Sequence, residues 1–320
     1  MQRSVVFGAL PPARTCQRIY NRNYPMYKWL ASFALTTLLI TSAFADSSTT
    51  RIVADGLGFP EGTIIVNGEL YFVDYQASTV NKLTGNGYAV VKKLPGCGAN
   101  GLVAANGSLL AACYDSGAIE RISMTGTSLG TINHSRSGEG FTHPNDLVAN
   151  DRGDVYFTAS GNRPGEGKVF LLSKGNDVPQ EVATGIDNAN GIAVSPDGKI
   201  LYVGESGADR IRSYQINDDG TLAGPTIFAQ LNALAASSST GRHTPDGIRV
   251  GPRGLIYVAL FNGGGYWVLN RKGEHVKAIE VPGTHHSNLA ISVAERAVYV
   301  TSISSGYGRI YRMPLSMEAP

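Results

Sequence analysis

Apolar residues recur along this chain in short alternating runs and not at helical spacing. One unit repeats six times: an acidic or amide residue, a strand-like run, a Gly-containing turn, then a second run rich in Tyr and Val. The copies are anchored at Glu61, Asn100, Asn145, Asn190, Asp246 and Asn288, about 45 residues apart on average. The second runs cover 69–74, 108–113, 154–159, 200–205, 255–260 and 297–302. Asn67-Gly68, Asn106-Gly107, Arg152-Gly153 and Asp197-Gly198 separate the two runs, residue types that tight hairpin turns need for positive φ. A third run often follows, such as Arg210-Ile-Arg-Ser-Tyr. Short β-rich units of this length, about four strands each, are propeller blades. The expected fold is all-β, a six-bladed β-propeller over residues 46–320. The competing reading is a β-sandwich whose turn spacing coincides with the repeat. Residues 231–244 form the widest insertion, a polar loop expected to overhang one face.

The first 45 residues stand apart. Met26-Tyr-Lys opens an apolar run that ends in Ala43-Phe44-Ala45 before Asp46. A charged start, a short apolar stretch and an A-x-A site spell a secretory signal peptide over Met26–Ala45. The run is shorter than the ~20 residues of a membrane span. Residues 1–25 read as an N-terminal extension. The mature chain is then secreted or periplasmic, with no membrane segment. In that setting Cys97 and Cys113 are candidates for a disulfide.

The leader also carries the charge surplus. Five of the 27 basic side chains and none of the 25 acidic ones lie in residues 1–45, so the whole-chain +2 becomes −3 without them. Charged residues are only 16% of the chain and form no basic stripe interleaved with aromatics, which argues against nucleic-acid binding.

In a propeller the inner strands surround the axis, so the six anchors should form a ring in which every member carries a side-chain oxygen. Burying such a cluster is costly unless something satisfies it. A hard divalent cation does so, and Glu61 and Asp246 would match its charge; the absence of Cys or His from the ring argues against zinc. Alternatively, the anchors cap the inner strands through Asx-type turns. Asp197 has the Pro-Asp-Gly lettering of Asp246 but falls in a mid-hairpin turn and is left out of the site.

Four motifs carry a family resemblance over nearly the whole mature chain. Pro60-Glu61-Gly62, His143-Pro144-Asn145-Asp146, Asn190-Gly191-Ile-Ala-Val and Pro245-Asp246-Gly247-Ile-Arg-Val, in this order, resemble the gluconolactonase, senescence-marker-protein-30 and luciferin-regenerating-enzyme family. The resemblance implies one divalent ion on the axis, commonly Ca²⁺, with Mg²⁺ or Mn²⁺ as alternatives. Glu61, Asn190 and Asp246 then look like direct ligands. Asn145 lies beside the metal or holds its water and the substrate. In sugar-lactone members an Arg often precedes the Asn aligned with Asn145 by two residues. His143 stands there instead, which puts a sugar substrate in question.

The expected chemistry is lactone opening through a polarised carbonyl and an activated water, with Asp246 as the first candidate base and Glu61 as the second. Asn100, Asn288 and His143 are expected to border the substrate, a small lactone or ester. His285 and His286 adjoin on an extended segment and point opposite ways, so only one borders the site; His286 is the candidate. Rival readings are a phosphotriester or ester hydrolase on the same ring, and a non-catalytic binding scaffold.

Overall fold

The computed structural model describes residues 49–235 and 241–315; the leader expected over 26–45 lies outside them. Each repeat folds as a four-stranded antiparallel sheet, giving six blades. The inner strands are Pro60–Val66, Ala99–Ala105, Pro144–Ala149, Ala189–Val194, Pro245–Val250 and Leu289–Ser292, each touching its neighbours round the axis. The sixth blade is composite. The first strand, Arg51–Leu57, pairs antiparallel with the last, Tyr307–Pro314, so the two ends of the described chain close the ring.

A single blade is too thin to bury its own faces, and the core is accordingly split into six apolar clusters, one at each blade interface. Tyr71, Val73 and Leu102 seal blades one and two, for example, and Phe72, Ala290 and Tyr299 seal six and one. Close packing of the inner strands also accounts for the glycine after most anchors. A Cβ on Gly62 would lie 2.7 Å from the Asn100 carbonyl oxygen, and one on Gly191 would overlap the Asp246 carbonyl. Asn67 and Asn106 adopt positive φ in their hairpin turns, as the sequence pattern requires.

Cys97 and Cys113 are disulfide-bonded, with Cα atoms 4.5 Å apart. The bond ties the approach to Asn100 to the end of the next strand, just before Tyr114. The insertion at 231–244 begins with a short helix, Leu231–Leu234, and residues 236–240 lie outside the described residues. Its far end is anchored: Arg242 Nε donates to Asp209 Oδ2 (2.8 Å) and the Thr244 hydroxyl to Asp209 Oδ1 (2.9 Å).

Glu205, at the end of the second strand of blade four, is buried between Arg210 and Arg212, with the Asp187 amide donating to it at 2.9 Å. Burial alone would raise its pKa, but hydrogen bonds from Arg212, Arg210 and the Asp187 amide bring it down to about 2. A depressed carboxylate stabilises the fold above its unfolded pKa, near 4.5, and that contribution is lost as pH falls towards 2. It is worth about 3 kcal/mol at neutral pH. In urea unfolding, the stability gap between wild type and Glu205→Gln should therefore close between about pH 4.5 and pH 2. A gap that stays constant with pH would contradict the assignment.

Candidate functional site

All six anchors stand at the same end of their inner strands. Glu61, Asn100, Asn145, Asp246 and Asn288 are buried and Asn190 is half-buried. Neighbouring hydrogen bonds orient the amides. Asn145 donates from Nδ2 to the Ser160 hydroxyl (3.2 Å), which turns Oδ1 away with no partner among the described residues. Asn190 hydrogen-bonds the Asp246 carboxyl, and its Oδ1 is likewise left without a donor. Asn100 instead spends Nδ2 on the Asn145 backbone carbonyl (3.3 Å), bracing the neighbouring blade.

The carboxyls are under electrostatic pressure. Burial first, then the charges of Asp246 and Asp146, hold the Glu61 pKa well above the usual carboxylate range. Burial and the Asp146 charge raise that of Asp246, against the opposing hydrogen bond from Asn190. Asp146 is thus a third buried acid near the axis. It is neutralised by Arg249, whose Nη1 reaches Asp146 Oδ2 at 2.9 Å from the inner strand of blade five.

Arg249 is the hub beneath the anchors. Its Nη2 donates to the Thr63 carbonyl (3.2 Å) and to Asn288 Oδ1 (3.0 Å), so one guanidinium links blades one, three, five and six. The Thr63 hydroxyl and the Leu289 amide also donate to Asn288 Oδ1, leaving Asn288 Nδ2 to face Glu61 Oε2 at 3.3 Å. Asn288 therefore offers Glu61 a donor, not the axis an oxygen. Arg249 also lines an apolar well of about 300 Å³ with Ile64, Val103, Leu147 and Ile291.

These residues fit a hard cation. Two buried carboxyls with an unmet cost of ionisation stand with two amide oxygens lacking donors, an all-oxygen set of the kind Ca²⁺ takes. With Asp146 and Arg249 cancelling, the remaining charge is that of Glu61 and Asp246, which a divalent ion balances. Among the described residues no three His, Cys, Asp or Glu side chains group as a metal cluster, so amide oxygens are needed to complete a shell. Asp197 lies in its turn, bonded to the Ser195 hydroxyl.

Around the anchors runs a rim of two positions per blade, joined by backbone hydrogen bonds. Tyr75 pairs with Phe59, Tyr114 with Gly98, Ser160 with His143, Ser206 with Asn188, Phe261 with Thr244 and Ile303 with His285. The structure gives this rim to His285. His286 is fully buried, and burial pushes its pKa down to about 4 with only the Pro282 and Val281 carbonyls opposing. The rim place expected of His286 thus falls to its neighbour. His143 sits at positive φ with its ring stacked on Tyr114, centroids 4.3 Å apart, and its Nδ1 3.3 Å from the Gly161 carbonyl.

The profile for the "SMP-30/Gluconolactonase/LRE-like region" matches residues 59–304, a span that takes in all six anchors. The chain belongs to the SMP-30/gluconolactonase/LRE-like family. Within and around that family, the lactonase drp35 of Staphylococcus haemolyticus is 31% identical over 141 residues, 43% of this chain and 42% of the relative. The chain thus aligns with less than half the length of that curated relative. Solved structures share the fold over most of both chains. A gluconolactonase from Xanthomonas campestris superposes with a TM-score of 0.69 at 22% identity, covering 83% of this chain and 89% of the other. A luciferin-regenerating enzyme gives 0.71 at 18%, covering 84% and 96%. A calcium-binding regucalcin from Agrobacterium tumefaciens gives 0.69 at 18%, covering 83% and 93%.

Asp146, Arg249, Phe59, Tyr75, Tyr114 and Phe261 were not among the site residues expected from the sequence. Arg249 had a legible signal: three positions after the anchor, the other repeats carry Ile64, Val103, Val148, Ala193 and Ile291. A lone Arg in that apolar column calls for a buried partner.

Proposed function

We propose that the protein is a divalent-metal-dependent hydrolase that opens a lactone. The observation that carries this is the juxtaposition of buried, proton-hungry Glu61 and Asp246 with the unpartnered oxygens of Asn145 and Asn190. A binding scaffold has no use for that arrangement. The regucalcin and lactonase relatives support both halves of the reading.

Glu61, Asn145, Asn190 and Asp246 would hold the ion. When bound, a cation such as Ca²⁺ supplies Lewis acidity towards an ester carbonyl and lowers the pKa of a water. Asp246, a carboxylate on the ring, would accept the proton of the attacking water. Ser160 occupies Asn145 Nδ2 and so leaves the Asn145 oxygen unpartnered for the ion. The Gly62 amide and Asn288 Nδ2 hold Glu61, so its carboxylate cannot swing to solvent. Export through the leader before Asp46 is part of the same proposal, supported by the Cys97–Cys113 bond.

A lactone panel assayed with and without chelator tests it. Turnover that EDTA abolishes and added Ca²⁺ restores is the expected result. Turnover that persists without metal, or no turnover on any lactone, would refute it.

A further inference from the structure

Two repeats break the common pattern at positions that meet across the axis. The residue after the anchor is Gly62, Gly101, Gly191, Gly247 or Leu289 elsewhere, but Asp146 in blade three. The residue three after the anchor is apolar elsewhere, but Arg249 in blade five. These two exceptions are bonded to each other at 2.9 Å, with Asp146 buried. Each Asp146 oxygen has a donor: the Leu147 amide reaches Oδ1 (2.9 Å) and Arg249 Nη1 reaches Oδ2 (2.9 Å). Arg249 is itself pinned, Nη1 to the Ile248 carbonyl (2.8 Å) and Nη2 to the Thr63 carbonyl and Asn288 Oδ1. Asp146 is thus a third carboxyl beside the site that takes no place in the ring. Its charge still reaches the ring, since it opposes ionisation of both Glu61 and Asp246.

An all-oxygen site discriminates among hard cations by its charge and by how many positions it fills. Two carboxylates balance a divalent ion, and a third would favour a trivalent one. Asp146 is next in sequence to Asn145, one of the residues that would hold the ion. Without its tether, the Asp146 carboxylate would be drawn to the ion and displace a water from it. The guanidinium opposes both effects. It offsets the third charge, and its bonds to blades one, five and six fix the direction in which it holds Asp146.

We propose that Arg249 is a positioning residue that sets the valence and the openness of the cation site. By holding Asp146 out of the ring, it keeps the site a two-carboxylate, divalent one with positions left for water and substrate. The inference rests on the hydrolase reading above, because it takes Glu61, Asn145, Asn190 and Asp246 as the residues that hold the ion.

The test titrates the full chain with Ca²⁺ and with Tb³⁺, a trivalent ion of similar size whose luminescence lifetimes in H₂O and D₂O count its bound waters. Wild type, Arg249→Met, Asp146→Asn and the double variant are compared. Arg249→Met should raise the ratio of Tb³⁺ to Ca²⁺ affinity by at least about tenfold and remove about one water from bound Tb³⁺. Asp146→Asn, which leaves the guanidinium without its carboxylate, should lower the ratio by about tenfold. The double variant should return both readouts to their wild-type values. A loosened fold would weaken both ions alike and leave the ratio where it was. Should either single variant fail to fold, the other decides, together with the wild-type water count, which is expected at about two or more. A ratio that the folded single variants leave unmoved, or wild-type Tb³⁺ stripped of water, overturns the proposal. Ca²⁺ binding by wild type with an unmoved ratio leaves the hydrolase reading standing, whereas a wild-type chain that binds neither ion overturns both.

Discussion

Glu61→Gln and Asp246→Asn should each weaken Ca²⁺ binding by at least about a hundredfold and lower lactone turnover by about a hundred- to ten-thousandfold. With metal removed, the same variants should be more stable than wild type, not less. Both carboxyls have folded-state pKa values above their unfolded ones. Their contribution to stability is full below the unfolded values of 4.5 and 3.8 and is lost as pH rises through the folded ones. An amide has the shape of the protonated acid and escapes that loss. The gain should be present at pH 7 and should vanish as pH falls below the unfolded values. Isothermal titration with Ca²⁺ and urea unfolding in EDTA measure the two effects. Metal-free variants that are less stable than wild type would show that these carboxyls are satisfied by the fold alone.

Arg249→Met should be the most damaging single change in stability away from the apolar cores. It leaves the Asp146 carboxyl buried without its cationic partner, strips a donor from Asn288 Oδ1 and unties blades one, three, five and six. Breaking a buried pair by removing one partner costs about 3–5 kcal/mol. Adding Asp146→Asn should recover much of that loss, because the stranded charge goes with it. Chemical denaturation of both single variants and the double variant closes the cycle. A loss below about 1 kcal/mol for Arg249→Met would mean that the guanidinium is a passenger in the channel.

The blade count, the inner strands and the ring of anchors were legible because a propeller repeats its solution. A tight turn needs Asn-Gly wherever it recurs, and an anchor beside a neighbouring carbonyl needs Gly after it, so each blade restates the pattern. The Arg249 network occurs only once, so no repeat betrays it except as an exception in its column. Asp146 occupies a place where four of the other repeats have Gly or Leu289 stands, and its charge made sense only with Arg249 across the axis. The rim was harder to read. Tyr75, Tyr114 and Phe261 follow their strands as ordinary aromatic residues, and only the coiling of the chain into a ring brings Tyr75 and Tyr114 edge to face and stacks Phe261 on Phe59 and His285. Expecting His286 in place of His285 was a question of parity on an extended segment, which the bridge from His285 to Ile303 decides.

The pairing of Arg51–Leu57 with Tyr307–Pro314 also has a bearing on biosynthesis. Five blades can assemble in order as their segments become available, but the sixth waits for partners more than 250 residues apart in sequence, such as Arg51 and Arg312. Its first strand must remain unpaired until Tyr307–Pro314 has been made. Emergence of Tyr307–Pro314 then becomes the event that commits the ring, and the open edge of the newborn chain is the vulnerable surface until that moment.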